Sequence, residues 1–203
     1  MTELFTPSSE ADLVDTRPSL ETDRLRLRPF TQEDAETIQR LVNDLEIVAT
    51  TRALHFPYPD GAASRWISQQ PLAWLEGRAA IFAISLKSSG LVIGATGLEI
   101  DAADERAELG YWMDPAFWNR GYTTEAAIAL VDFAFRQLGL NRVSAEHMVH
   151  NPASGRVLEK AGLRPEGLLR QHAKKWGRFH DVAVFGLVRE DWSPSGPRIP
   201  EIF

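Results

Sequence analysis

The segment Trp118-Asn119-Arg120-Gly121-Tyr122-Thr123-Thr124-Glu125-Ala126 lies between two runs of different character. Before it, Leu109-Gly110-Tyr111-Trp112-Met113 is apolar and aromatic and stops at Asp114-Pro115. After it, Ala126 to Leu138 is amphipathic. The order is strand, short loop, helix, with Gly121 at the helix entrance. A helix start leaves about four backbone N–H groups without partners and carries partial positive charge. Such a terminus can hold a phosphate or diphosphate. A glycine there lets the backbone approach the anion with no Cβ in the way.

The spacing fits neither of the two common phosphate loops. Walker A requires G-x-x-x-x-G-K-S/T, and the dinucleotide fingerprint requires G-x-G-x-x-G. The segment resembles the pyrophosphate loop of the GNAT acyl-CoA N-acyltransferases, Q/R-x-x-G-x-G/A. It is closest in wording to the Rim-type branch, the ribosomal-protein alanine acetyltransferases, which often write W-x-x-G-Y-A-T-E-A. Thr123 departs from that pattern by standing where Gly or Ala is usual. Its methyl and hydroxyl either crowd the phosphates or add a donor.

Composition narrows the remaining classes. A chain of 203 residues is long enough for one domain with a sizeable core. Its net charge is −6 and it has no long basic run, which argues against nucleic acid as a partner and favours cationic substrates. There are no cysteines, so disulfides, thiolate nucleophiles and cysteine metal sites are excluded. The start, Met1-Thr2-Glu3-Leu4-Phe5, has neither the basic nor the apolar region of a signal peptide. No apolar run reaches the 18 or so residues of a membrane span. A cytoplasmic location, with no membrane partner, is the expectation.

Taken in order, residues 1–19 read as a flexible leader, 20–192 as one domain and 193–203 as a Pro- and Gly-rich tail. Arg24-Leu25-Arg26-Leu27-Arg28 alternates with period two and predicts a half-exposed strand. Thr31 and Asp34 form a capping-box-like start, followed by an Ile38, Leu41, Val42 helical stripe. A second helix is expected over about Glu46 to Ala53, then an aromatic loop at residues 55–61. A third helix carries Ala63, Trp66, Ile67 and Gln70 and runs to Pro71 or slightly past it. Strands at Ala80 to Lys87 and Leu91 to Ile100 flank a Ser88-Ser89-Gly90 turn. A further turn leads into Arg106 to Met113. The helix after the loop should end at Leu138, with Gly139 as its cap. A strand follows over Asn141 to His150. Asn151-Pro152 then supplies an N-cap and an N1 proline for a helix ending at Ala161-Gly162. A hairpin about Trp176-Gly177-Arg178 closes the domain. The pattern is that of an α/β protein with a mixed sheet.

Four further segments resemble the same branch in the same order. They are Leu20 to Arg28, Ala107-Glu108-Leu109-Gly110-Tyr111, Asn151-Pro152-Ala153-Ser154 with Leu158 to Leu163, and Gly177-Arg178-Phe179 with Asp181. The resemblance implies the GNAT fold: a mixed central β-sheet with splayed parallel strands and flanking helices. It implies acetyl transfer from acetyl-CoA to an amine, either a protein N-terminus or a small molecule, by a monomer or homodimer. No metal is called for. Such chemistry needs a donor polarising the thioester, a base for the amine proton and an acid for the leaving thiolate. By resemblance, the backbone of Met113 beside Asp114 polarises the thioester. Asn119, Arg120, Gly121, Tyr122, Thr123 and Thr124 hold the diphosphate.

The resemblance also supplies the proton-transfer candidates, each beside a plainer reading. Glu108 is the first candidate for general base, directly or through water; otherwise it is a solvated strand carboxylate. Ser154 is the candidate acid toward the thiolate, or else a first-turn serine satisfying a helix N–H. Asn151 either contacts the pantetheine or caps its helix, or both. His147 shares a strand face with Val143 and Ala145 and reads as packed, with a reserve role as base. His55, in the aromatic loop, can line the substrate mouth, whereas His172 and His180 should be exposed. Phe56, Tyr58, Trp66 and Trp74 fall in the acceptor region, and Trp112, Phe117 and Trp118 beside the CoA channel. A different class also fits: a non-catalytic acyl-CoA binding or sensing module on the same fold, kept open by Thr123.

Overall fold

The computed structural model describes residues 17–194. Most of the expected leader and nearly all of the tail lie outside the described residues. Of the leader's last residues, Arg17 is buried and its guanidinium donates to the Ile81 carbonyl.

In chain order the strands and α-helices are β1 (Leu20–Glu21), β2 (Leu25–Arg28), α1 (Ala35–Leu41), α2 (Leu45–Thr50), α3 (Ala62–Leu75), β3 (Ala79–Leu86), β4 (Val92–Asp101), β5 (Arg106–Met113), α4 (Tyr122–Arg136), β6 (Arg142–Met148), α5 (Pro152–Lys160), β7 (Arg164–Lys175) and β8 (Arg178–Val188). The strands form one sheet ordered β1-β2-β3-β4-β5-β6-β8-β7. All neighbours are antiparallel except β5 and β6. This is the mixed sheet the element pattern implied.

Three local expectations need correction. The strand expected at Arg24–Arg28 is β2, but the Leu20–Arg28 segment, which resembles the branch's opening strand, is two strands: the chain turns between Glu21 and Leu25, with Leu20 paired to Leu27, because the Thr22 hydroxyl and N–H both bond Leu25. Helix α3 continues through Pro71 to Leu75; packing of Ala63, Ile67 and Ala73 outweighs the one lost N–H. Helix α4 begins at Tyr122, four residues before the apolar run, and ends at Arg136, so Gly139 lies beyond its terminus. The capping box at Thr31 and Asp34 is present, and Asp34 also holds Arg28 in a two-pronged ion pair.

The sheet carries α4 and α5 on one face and α1 and α3 on the other. Helix α4 buries Ala126, Ala127, Leu130, Phe133 and Ala134 against Leu25, Leu27, Phe82, Ile84 and Leu109. Full burial of a side chain such as Leu130 stabilises by about 1.5–3 kcal/mol. Behind the sheet, Ile38, Val42 and Ile67 pack on Phe30, Ala83 and Ala95. Period-two alternation sorts β5 accordingly. Leu109, Tyr111 and Met113 join the α4 side, and Trp112 joins the α1–α3 side.

The join between β5 and β6 is what shapes the site. Strand β5 stays paired with β4 along its whole length, and β6 with β8. Yet β5 and β6 pair only from Arg106–Arg142 to Glu108–Ser144. Beyond Glu108 the two halves of the sheet part, and a wedge opens where Leu109–Trp112 and Ala145–Met148 would otherwise have met.

Candidate active site

A cavity of about 780 Å³ occupies this wedge, within the range usual for small-ligand sites. It passes through the sheet. Gly121, Thr123 and Ser154 line its α4–α5 side, and Arg52, Glu108 and Glu146 line the other.

The α4 entrance has the geometry of an anion site. Asn119 and Gly121 take positive φ, +59° and +79°, turning the chain sharply into the helix. Gly121 is the N-cap residue without any side-chain cap, and Glu125 is the first residue whose N–H bonds back, to the Gly121 carbonyl. The N–H groups of Tyr122, Thr123 and Thr124 therefore lack intrahelical acceptors. A Cβ at Gly121 would meet only Arg24 Nη2, at 3.4 Å. The loop is otherwise open to a ligand. Arg120 lies over the Phe117 ring at 5.5 Å.

At the end of β5, Asp114 N–H bonds the Ile93 carbonyl. Antiparallel pairing alternates, so the adjacent Met113 N–H and C=O point away from β4, toward the wedge. The Trp118 indole takes the carbonyl at 2.7 Å. The Met113 N–H is left aimed into the opening. Gly94 lets β4 lie this close: a Cβ there would fall 2.4 Å from the Trp112 carbonyl. Asp114 spends its side chain on the Ala116 N–H.

Ser154 sits in the first turn of α5, but its hydroxyl does not cap the helix. Asn151 accepts the Ser154 N–H through its side chain (3.3 Å) and its carbonyl (3.2 Å). The serine Oγ instead lies 2.9 Å from the Tyr111 hydroxyl, which is also 3.1 Å from the Ser154 carbonyl. Burial first of all pushes the Tyr111 phenol up to about 12, with the Ser154 bond opposing. Tyr111 was not among the sequence candidates. Its signal was its parity with Met113 on β5, legible only once Ser154 is known to face it.

Glu108 lines the wedge from the α1–α3 face. Burial, then the neighbouring Glu146 carboxylate and more weakly Glu99, raise its pKa above the usual glutamate range; Arg52 opposes them. Arg52 Nη2 is 3.8 Å from Glu108, and its Nη1 bonds Glu146. The stretch carrying Arg52 is fastened by Lys175, whose Nζ donates to the Thr51 carbonyl and, at 2.9 Å, to that of Leu54.

His147 lies on the opposite, α5 face. Its Nδ1 is 2.9 Å from the Met148 carbonyl, its ring centroid 5.5 Å from that of Phe185, and its Nε2 points at Gly155. The structure thus brings Ser154 and His147 to one face and Glu108 to the other, all on one cavity. His55 and His172 are exposed, and His180 is half-buried with its ring 4.8 Å from His150. Among the described residues no cluster of three or more His, Cys, Asp or Glu is placed to hold a metal. No described helix is long and apolar enough to cross a membrane.

This architecture has known counterparts. The profile of the acetyltransferase (GNAT) domain matches residues 24–164. An uncharacterized N-acetyltransferase, p20, of Bacillus licheniformis is 35% identical over 179 residues, covering 86% of this chain and 98% of the relative. A putative ribosomal N-acetyltransferase of Bacillus subtilis, YdaF, is 34% identical over 93 residues, 46% of this chain and 51% of that one. The solved ribosomal L7/L12 α-N-protein acetyltransferase RimL, in complex with coenzyme A, shares the fold with a TM-score of 0.78 at 19% identity, covering 86% of this chain and 99% of that one. The chain belongs to the GNAT acetyltransferase family, a class of acyl-CoA-dependent N-acetyltransferases. Its resemblances run to the Rim-type branch.

Proposed function

We propose that the protein transfers the acetyl group of acetyl-CoA to a primary amine, of a protein N-terminus or a small molecule. The observation that carries this is the through-sheet wedge. Its α4 side offers free N–H groups to a diphosphate, its middle the Met113 N–H, and its far side a raised carboxylate. Two substrates can therefore enter from opposite faces and meet where the strands part. Acetyl-CoA fits the residues present, since the loop from Asn119 to Thr124 leaves an unfilled concavity at Gly121. Thr123 lines the cavity without filling that corner.

The chemistry follows from the groups. The amine nitrogen attacks the thioester carbonyl carbon, whose oxygen takes the Met113 N–H as donor. Glu108, made more basic by burial and by Glu146, with Arg52 3.8 Å away opposing them, accepts the ammonium proton, directly or through water. The carbon–sulfur bond then breaks, and the amide and the thiol of CoA are the products. Ser154, backed by Tyr111, donates a hydrogen bond to the departing sulfur. A tyrosine at about 12 does not give up its proton by net transfer to a thiolate whose thiol lies in the ordinary range near 8.5. The hydroxyl pair therefore stabilises the thiolate, and the proton that completes the thiol comes by way of water or the base. His147 is read as packing.

The acidic lining of Glu99, Glu108 and Glu146 on the acceptor side suits a cationic amine. The test is release of free CoA thiol from acetyl-CoA across a panel of N-terminal peptides and small amines. Amine-dependent release identifies the acceptor. Binding of acetyl-CoA with no thiol release in the presence of any amine would leave a binding module instead.

A further inference from the structure

Glu125 stands in the first turn of α4, beside the N–H groups read above as holding the diphosphate. A free carboxylate there would repel a phosphate ligand. The structure does not leave it free. The Thr22 hydroxyl donates to Glu125 Oε1 at 2.5 Å and the Arg24 N–H to the same oxygen at 2.8 Å. Arg24 Nε donates to Oε2 at 2.7 Å. All come from the short turn between β1 and β2, about a hundred residues away in sequence.

Arg24 does more than neutralise. Its Nη1 donates to the Arg120 carbonyl at 3.0 Å, so one guanidinium spans the loop and the helix that follows it. The same group lies 4.4 Å over the Tyr122 ring. Its own backbone is tied down, since the Lys87 N–H bonds the Arg24 carbonyl and the Lys87 ammonium bonds Thr22 O and, at 3.0 Å, Glu21. The planar fork thus has Nε and Nη1 committed to protein. Nη2, the third nitrogen, is at the open corner of Gly121. Burial raises the Glu125 carboxyl, but the Thr22 and Arg24 donors outweigh it and keep it below the usual carboxylate range.

We propose that Arg24 is a further residue of the CoA-diphosphate site: it cancels the Glu125 charge, sets the Arg120–Tyr122 loop and turns its Nη2 edge to the ligand. This rests on the loop reading given above. Arginine suits the task where lysine does not, because a flat fork can bind a carboxylate, a carbonyl and a phosphate at once.

The experiment measures CoA affinity by calorimetry and turnover with acetyl-CoA and with phosphate-free acetyl-pantetheine. Arg24→Gln should weaken CoA about 10–100-fold, chiefly as a raised KM for acetyl-CoA, and reduce turnover of acetyl-pantetheine far less. Arg24→Lys should fall between. Glu125→Gln should bind CoA at least as well as the natural chain. Combined with Arg24→Gln it should recover part of the loss, because the uncompensated charge is gone. A folded Arg24→Gln with unchanged CoA affinity overturns the proposal, as does an equal loss with acetyl-pantetheine. If Arg24→Gln does not fold, Arg24→Lys decides by the same two substrates. Gly121→Glu separates the two readings. If it binds CoA normally the loop itself is misplaced, whereas loss there with none in the Arg24 variants removes only Arg24.

Discussion

Replacing Ser154 and Tyr111 singly and together tests the proton chemistry at its most exposed point. The two hydroxyls are 2.9 Å apart, and Asn151 rather than Ser154 satisfies the first turn of α5. Ser154→Ala therefore removes no helix cap. It leaves the half-buried Tyr111 hydroxyl one partner, the Ser154 carbonyl at 3.1 Å. The stability loss should sit near the value of one hydrogen bond, about 1 kcal/mol, rather than the larger cost of an orphaned buried group. In a chain of this size that is a fall of about 2–4 °C in Tm. The catalytic loss should be larger, because a positioned donor to developing charge is worth about 10²–10³ in kcat. Tyr111→Phe keeps the serine but removes what orients it, and should cost about tenfold. If the pair acts as one unit, the double variant should be little worse than Ser154→Ala. Single-turnover thiol release at saturating acetyl-CoA, on proteins first shown to be folded, reads all three. A Ser154→Ala rate within threefold of the natural chain, or strictly additive losses, would refute the reasoning and leave water as the donor.

Four further outcomes are expected. If Glu108 is the base, rate is lost as pH falls through its raised pKa, and Glu108→Gln should flatten that acid limb. Arg52→Gln, which removes the opposing cation, should move the limb to higher pH, and Glu146→Gln to lower pH; limbs that do not move exclude Glu108. Acetyl-CoA at about 100 times its Kd should stabilise the protein by about 2.7 kcal/mol, and Gly121→Glu should abolish the thermal shift. Gly155→Ala should destabilise by about 1–3 kcal/mol, since its Cβ would fall 2.8 Å from His147 Nε2, and His147→Ala in the same background should restore part of it, read by denaturant melts. Removal of residues 1–16 should preserve CoA binding. Truncation past Leu20, which is fully buried and paired with Leu27, should not yield folded protein by circular dichroism.

Local chemistry carried much of this protein openly in its sequence. Asn151-Pro152 specifies an N-cap and a first-turn proline, and both are where expected. Gly121 lies where a left-handed residue must introduce a helix, because no Cβ tolerates that turn cheaply. Period two along Arg24–Arg28 marks a strand, with Leu25 and Leu27 on its buried face. These signals reach only a few residues, so element ends moved: α4 starts at Tyr122 because a helix needs no apolar side chain in its first turn. What tertiary structure alone decided is where the faces meet. Alternation cannot say that β5 and β6 stop pairing after Glu108 and Ser144, because each strand keeps its other neighbour. Nor can it bring together Tyr111 with Ser154, Arg52 with Glu146, or Arg24 with Glu125. Those partners are 43, 94 and 101 residues apart, and their contacts arise from how the sheet and helices pack. The candidate diphosphate loop was legible because it is one continuous segment. Its supporting arginine was not, since on β2's edge Arg24 is indistinguishable from the solvent-facing Arg26 until the fold lays the turn against α4.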